Sequence, residues 1–248
     1  MTRFTLTAQN ELLFDDGGMN LLSSSALREL RDLFSSAQLR DRETAQPLVF
    51  RSARPNIFAA GADMAEMQRF SPRDAYDFAR LGQEVFETIE RAPFLTIAQI
   101  DGDCFGGALD LVLAFDFRFA TPRARFAHPG ARLGIVTGFG GTSRWRRVLT
   151  RPAAHQLFLA NRVIGAEEAL AMGLVDSPKA LWRPLPSAVA AARSAAGAAM
   201  GGAVTAEGSG HHIAPLQRFI KELAIHADKL SRAELLLVAR RLGGIYLP

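Results

Sequence analysis

Asp110 stands just behind a glycine pair in FGGALD, at the head of the apolar run FGGALDLVLAFDFRFA. A carboxylate in such a place is a helix cap, a solvated side chain near a helix start, or a working acid or base. A second glycine loop, AAGAD (Ala59 to Asp63), has the same setting. Each loop follows an expected buried strand and precedes an expected helix, whose first N–H groups lack intrahelical partners. Glycine lets an oxygen come close to that backbone. Side by side, the two loops would aim two N–H donors at one point, the geometry of an oxyanion hole. The same glycines also fit plain strand-to-helix turns, and one loop alone does not separate the two readings.

Other reactive residue types carry less. Cys104 is the sole cysteine and reads as a small buried residue, since no base is placed for it. GFGG (Gly138 to Gly141) lacks the lysine of a phosphate loop and reads as the end of a loop before TSRWRRVLT, with Thr142 as helix cap. His128 can border a pocket or serve as a packing residue. His211 and His212 are adjacent and have no evident third ligand, so no metal is expected. Glu66 reads as a surface helix residue and Asp116 as structural.

Alternating strands and helices must position these groups. FTLT and ELLF form an expected hairpin, followed by the turn DDGGMN and by SSALRELRDLFSSA, an amphipathic helix capped by Ser23 or Ser24. PLVFRSA and FLTIAQID read as buried strands, with RPNIFAAGAD a loop. Between them SPRDAYDFARLGQEVFETIERA is the clearest helix, with Ser71 at the N-cap, Pro72 at the first position and Asp74 near the positive end. FRFA and the segment around Arg125 read as strands, and RPAAHQLFLAN and AEEALAM as helices, the second closed by Gly173. The alternation predicts an α/β fold with parallel pairing. Past about residue 180 an Ala/Gly-rich stretch leads to two amphipathic helices, so the expected division is a core over 1–180 and a helical region over 181–248.

The chain has 248 residues, 48% hydrophobic and 22% charged, with a net charge of +4. That is the composition of a soluble globular protein. The basic knots RWRR and VARR read as solvated helix faces, then as contacts to a phosphate-bearing ligand, and last as a nucleic-acid surface. One cysteine, an N-terminus without an apolar signal core and no run long enough to span a membrane together predict a cytoplasmic protein. Its expected ligand is a small anionic molecule, with neither nucleic acid nor membrane as partner.

The segment IAQIDGDCFGGALDLVLAFDFRFATPRARFAHPGARLGIVTGFGGTSRWRRVLT resembles the signature region of the crotonase family, also called the enoyl-CoA hydratase/isomerase superfamily. GGMNLLS, AAGADMAEM and AEEALAMGLVD resemble further motifs of that family, in its order. The resemblance covers roughly residues 10 to 177 and fades beyond 180, where the usual late basic phosphate contact is not readable. It implies a crotonase-like spiral of ββα units, a helical C-terminal part that builds homotrimers or hexamers, and an acyl-CoA substrate that brings its own coenzyme A, with no separate cofactor. It places the N–H groups of Ala62 and Gly107 on the thioester oxygen and the backbone of Ala60, Gly61 and Asp63 near the adenine end of the CoA. Gly106, His128 and Gly130 then border the pocket.

The resemblance also puts Asp110 at the first of two catalytic glutamate positions of the hydratases, with a side chain one methylene shorter. The second position, directly after the proline of FAHPGARLG, is Gly130. Members that make naphthoate rings also carry glycine there and add an aspartate in the next loop, which is IVTGFGG in this chain. One carboxylate fits a proton shift, or hydration with a substitute second group, and with the partner missing at Gly130 weak or no crotonyl-CoA hydration is expected. Decarboxylation, hydrolysis, a step on a carrier-bound polyketide thioester and a non-catalytic binding role stay open.

Overall fold

A computed structural model describes residues 2–40 and 47–176 of the chain. The hairpin strands β1 (Phe4–Leu6) and β2 (Glu11–Phe14) lead through a turn to β3 (Leu21–Leu22), α1 (Ser24–Ser35) and α2 (Ala37–Arg40). Next come β4 (Leu48–Ser52), β5 (Ile57–Ala59), β6 (Gly61–Ala62), α3 (Met64–Met67) and the long α4 (Pro72–Glu90). They are followed by β7 (Thr96–Ile100), β8 (Asp103–Phe105), α5 (Gly107–Val112), β9 (Phe117–Ala120) and β10 (Arg125–Ala127). A 3-10 turn at Pro129–Leu133 precedes α6 (Gly141–Arg144), α7 (Arg151–Phe158), β11 (Ile164–Gly165) and α8 (Ala166–Ala171).

The strands sort into a five-stranded sheet of order β1-β2-β4-β7-β9, a four-stranded sheet of order β11-β10-β8-β5, and the short pair β3-β6. β4, β7 and β9 run parallel in the first sheet, and β5, β8 and β10 run parallel in the second. Each turn of the chain therefore adds one strand to each sheet before its helix, which is the expected ββα spiral with parallel pairing. The expected loop RPNIFAAGAD contains β5 and β6. The strand β6 pairs with β3 by only two residues, too few for a periodic signal.

Local chemistry explains the helix ends. The Ser23 hydroxyl accepts the Ala26 N–H at the head of α1. Ser71 and Asp74 form a reciprocal capping box on α4, with Pro72 at the first position. Before β3, the Asp16 carboxylate accepts the N–H groups of Gly18, Asn20 and Leu21. Burial pushes its pKa up, yet these donors and Arg3 hold it below the usual value. Asn20, buried and at φ 55°, donates to the carbonyls of Phe14 and Phe58 and to the Ser52 hydroxyl, tying β2, β4 and β5 together. Between the sheets, Phe50 packs against Phe58 at 5.7 Å and Phe115 at 5.4 Å between ring centroids.

Several expectations change. Gly140, at φ 87°, caps α6, so Thr142 lies inside the helix. The second half of TSRWRRVLT tightens into a 3-10 turn at Trp145–Arg147. Arg144 of the RWRR knot is not a solvated side chain. It is buried, donating to the Phe139 carbonyl at 2.7 Å and to Glu90 at 3.0 Å, and Arg147 joins the same Glu90 carboxylate. Glu66 is half-buried and accepts the Ser24 N–H at the start of α1. The expected boundary near 180, the C-terminal helices, VARR and His211 and His212 lie outside the described residues. Among the described residues no helix is long and apolar enough to cross a membrane.

Candidate active site

The two glycine loops lie against each other. Gly61 sits at φ 91°, and a Cβ there would come within 2.7 Å of the Phe105 carbonyl oxygen and 3.0 Å of the Gly107 nitrogen. Glycine is required twice over, for the backbone angle and for the approach. The Ala62 nitrogen is 3.6 Å from the point that a Cβ on Gly107 would occupy. Gly107 is the first residue of α5 and follows Gly106, whose missing side chain leaves the helix start uncapped. The Gly107 N–H therefore has no acceptor within its own helix.

A cavity of about 310 Å³ opens beside this contact. Its wall includes Ala60, Ala62, Gly106, Gly107, Asp110, His128 and Gly130, so seven of the nine residues singled out from sequence share one space. Gly61 supports the wall from behind. Asp63 is turned away to cap α3, its carboxylate accepting the Glu66 N–H at 3.0 Å. The remaining wall is largely apolar, with Met64, Met67, Phe70, Phe78, Val136 and Phe139.

Asp110 is neither a solvated side chain nor a cap. It is the fourth residue of α5, and only 1% of its surface is exposed. Its Oδ2 accepts a hydrogen bond from the Thr137 hydroxyl. Its Oδ1 has no hydrogen-bond partner among the described residues and lies 3.6 Å from Nε2 of His128, which likewise has none there. The imidazole is itself buried, with its ring 4.9 Å from that of Phe158 in α7. Gly141 backs Asp110 so closely that a Cβ there would run into Oδ1.

Two contacts of Asp110 escaped the reading of the sequence. Thr137 lies in IVTGFGG and is the hydroxyl-bearing residue of that stretch. Gly141 was assigned only to the end of the loop. That loop is held by Gln83, which donates to the Gly138 carbonyl, and by Arg144 on the Phe139 carbonyl. Phe139 then packs on Phe78, on Phe86 and over Gly107.

Burial pushes the Cys104 thiol well above its ordinary pKa, and the charges of Asp110 and Asp103 push it further, which agrees with a structural role. Asp116 is also structural, its carboxylate accepting both the N–H and the hydroxyl of Thr96. Among the described residues no group of three or more His, Cys, Asp or Glu could hold a metal ion.

The chain is similar to known proteins. The chain is 38% identical over 158 residues to a crotonyl-CoA hydratase of Syntrophomonas wolfei and 33% identical over 158 residues to a short-chain-enoyl-CoA hydratase of Clostridium acetobutylicum. Each match covers 64% of this chain and 60% of the relative, so the chain spans less than two thirds of either. Among solved structures, Pseudomonas aeruginosa DspI superposes with a TM-score of 0.66 at 26% identity, over 97% of this chain and 93% of that one. An enoyl-CoA hydratase from Bacillus halodurans superposes at 0.71 with 18% identity, over 98% and 86%, a likeness of fold alone. A family model described as Enoyl-CoA hydratase/isomerase matches residues 12–205, and with the spiral fold and the paired glycine loops this places the chain in the enoyl-CoA hydratase/isomerase family.

Proposed function

We propose that the protein is an enzyme that processes acyl-CoA thioesters by way of an enolate, in the manner of an enoyl-CoA hydratase or isomerase. The observation that carries this reading is one cavity whose wall combines the backbone of Ala62 and Gly107 with the buried carboxylate of Asp110. The thioester oxygen sits against the two N–H groups. As electrons move from the acyl carbons onto that oxygen, each donor stabilises the developing charge, a contribution on the order of 3 kcal/mol for one such donor. Asp110 moves the proton. Thr137 holds its Oδ2, which leaves Oδ1 directed at the reacting carbons. The apolar remainder of the wall takes the acyl chain and keeps bulk water from the enolate. Coenzyme A arrives as part of the substrate.

The test isolates the enolate from later steps. Butyryl-CoA, which has no double bond to hydrate, is incubated with the protein in deuterated water and its α-carbon is followed by mass spectrometry. Deuterium at the α-carbon is expected. Neither binding nor exchange, with butyryl-CoA or with a panel of longer and branched acyl-CoA esters, would remove the proposal.

A further inference from the structure

Asp110 Oδ1 and His128 Nε2 face each other across 3.6 Å on the wall of the cavity, both buried and both without a hydrogen-bond partner among the described residues. A buried polar atom left in that state costs roughly 1–3 kcal/mol. Two of them, turned towards the same space, mark a place built to receive a polar group. With hydrogen bonds of about 2.8 Å, one hydroxyl or water oxygen reaches both atoms at once.

Gly130 supplies a second, separate observation. A Cβ on Gly130 would lie 2.8 Å from the Ile135 carbonyl oxygen, 3.1 Å from His128 Cε1 and 3.2 Å from Nδ1. Tight approach to both the carbonyl and the imidazole leaves no room for a long side chain at residue 130 on this backbone. Any side chain at 130 would start pressed against the imidazole, and Phe158 packs on the same ring. Glycine at 130 and histidine at 128 are thus one arrangement.

We propose that His128 is a catalytic acid–base residue that works opposite Asp110, so that the site hydrates 2-enoyl-CoA thioesters with a carboxylate–imidazole pair. This rests on the acyl-CoA reading above. In the ion-paired state the Asp110 carboxylate accepts a proton from water while the water oxygen bonds to the β-carbon. The π pair of the double bond shifts to form the enolate, with its charge on the thioester oxygen. The imidazolium N–H of His128 then delivers a proton to the α-carbon, and the carbonyl is restored. One water has been added across the double bond, Asp110 has gained a proton and His128 has lost one. Transfer of that proton from Oδ1 to Nε2 resets the pair, and no oxidant or reductant is involved.

The experiment compares wild type, His128→Gln, His128→Ala and Asp110→Asn in crotonyl-CoA hydration, with butyryl-CoA binding measured alongside. Loss of a positioned acid or base typically costs about 10²- to 10⁴-fold, and kcat of His128→Gln is expected to fall by that amount with butyryl-CoA affinity changed only a few-fold. Added imidazole is expected to restore part of the activity of His128→Ala and none of Asp110→Asn. It has a route, because a second cavity of about 450 Å³, with Trp145, Ala154 and Phe158 in its wall, adjoins the same histidine. The doubly substituted protein is expected to be no slower than the slower single variant, since the pair acts as a unit. Hydration by His128→Gln within a few-fold of wild type overturns the proposal. So does a wild type that exchanges the α-proton of butyryl-CoA but adds no water to crotonyl-CoA or longer 2-enoyl esters, a result that leaves the enolate reading intact. A wild type that neither binds nor exchanges butyryl-CoA or other acyl-CoA esters overturns both.

Discussion

The two ends of the stretch that holds α5 each carry an aspartate, and each aspartate receives a threonine hydroxyl, yet the two sites differ in what is left over. At Asp116 the carboxylate accepts the Thr96 N–H at 2.9 Å and its hydroxyl at 3.1 Å, while the Asp116 N–H returns a bond to the same hydroxyl. The result ties the end of the helical stretch to β7, next to β9. At Asp110 the Thr137 hydroxyl donates to Oδ2, and Oδ1 faces the cavity and His128. The Asp116 carboxylate exchanges bonds with Thr96 and is not among the residues that line the cavity. The Asp110 carboxylate is held at Oδ2 and open to the cavity at Oδ1.

The largest test of that difference is Asp110→Asn. It keeps the shape of the side chain but removes its capacity to take a proton. A fall in kcat of roughly 10²- to 10⁴-fold is expected, with butyryl-CoA affinity and thermal midpoint close to wild type. Turnover that stays unchanged would show that Asp110 is as structural as Asp116 and would erase the contrast.

Gly141→Ala sharpens the same point from behind. The new methyl group has to displace Oδ1, because it cannot fit between Gly141 and the carboxylate. Displacement of a catalytic group by about 1 Å costs on the order of 10²-fold, so kcat is expected to fall by about that factor while the fold, read by circular dichroism, persists. A variant with wild-type kcat would mean that the position of Oδ1 does not matter.

The sequence revealed these regions unevenly, for physical reasons. α4 was legible from Ser71, Pro72 and Asp74 because a cap is made by residues three apart. The amphipathic face of α1 was legible for the same local reason. The candidate residues Ala62, Gly107 and Asp110 were picked out through ordered motifs, and one cavity wall holds all three. What surrounds Asp110 was not, since Thr137, Gly141 and His128 reach it by tertiary folding from other elements and no periodicity encodes such contacts. Glu66, read as a surface helix residue, instead serves the start of α1 on a distant part of the chain. Arg144 was read as solvated because its carbonyl and carboxylate partners are invisible in the string RWRR.

The smallest effect on chemistry is expected at the other end of the stretch. Asp116→Ala leaves the buried Thr96 N–H and hydroxyl without the carboxylate that accepts them, and a buried donor left unpaired costs about 1–3 kcal/mol. Urea unfolding is therefore expected to show a lower midpoint with an unchanged slope. The kcat per folded molecule should remain at the wild-type level, because Asp116 bonds to β7 and has no place on the cavity wall. If Asp116→Ala lowered kcat as strongly as Asp110→Asn at temperatures where both are folded, the two aspartates would belong to one coupled unit. The distinction drawn from their hydrogen bonds would then fail.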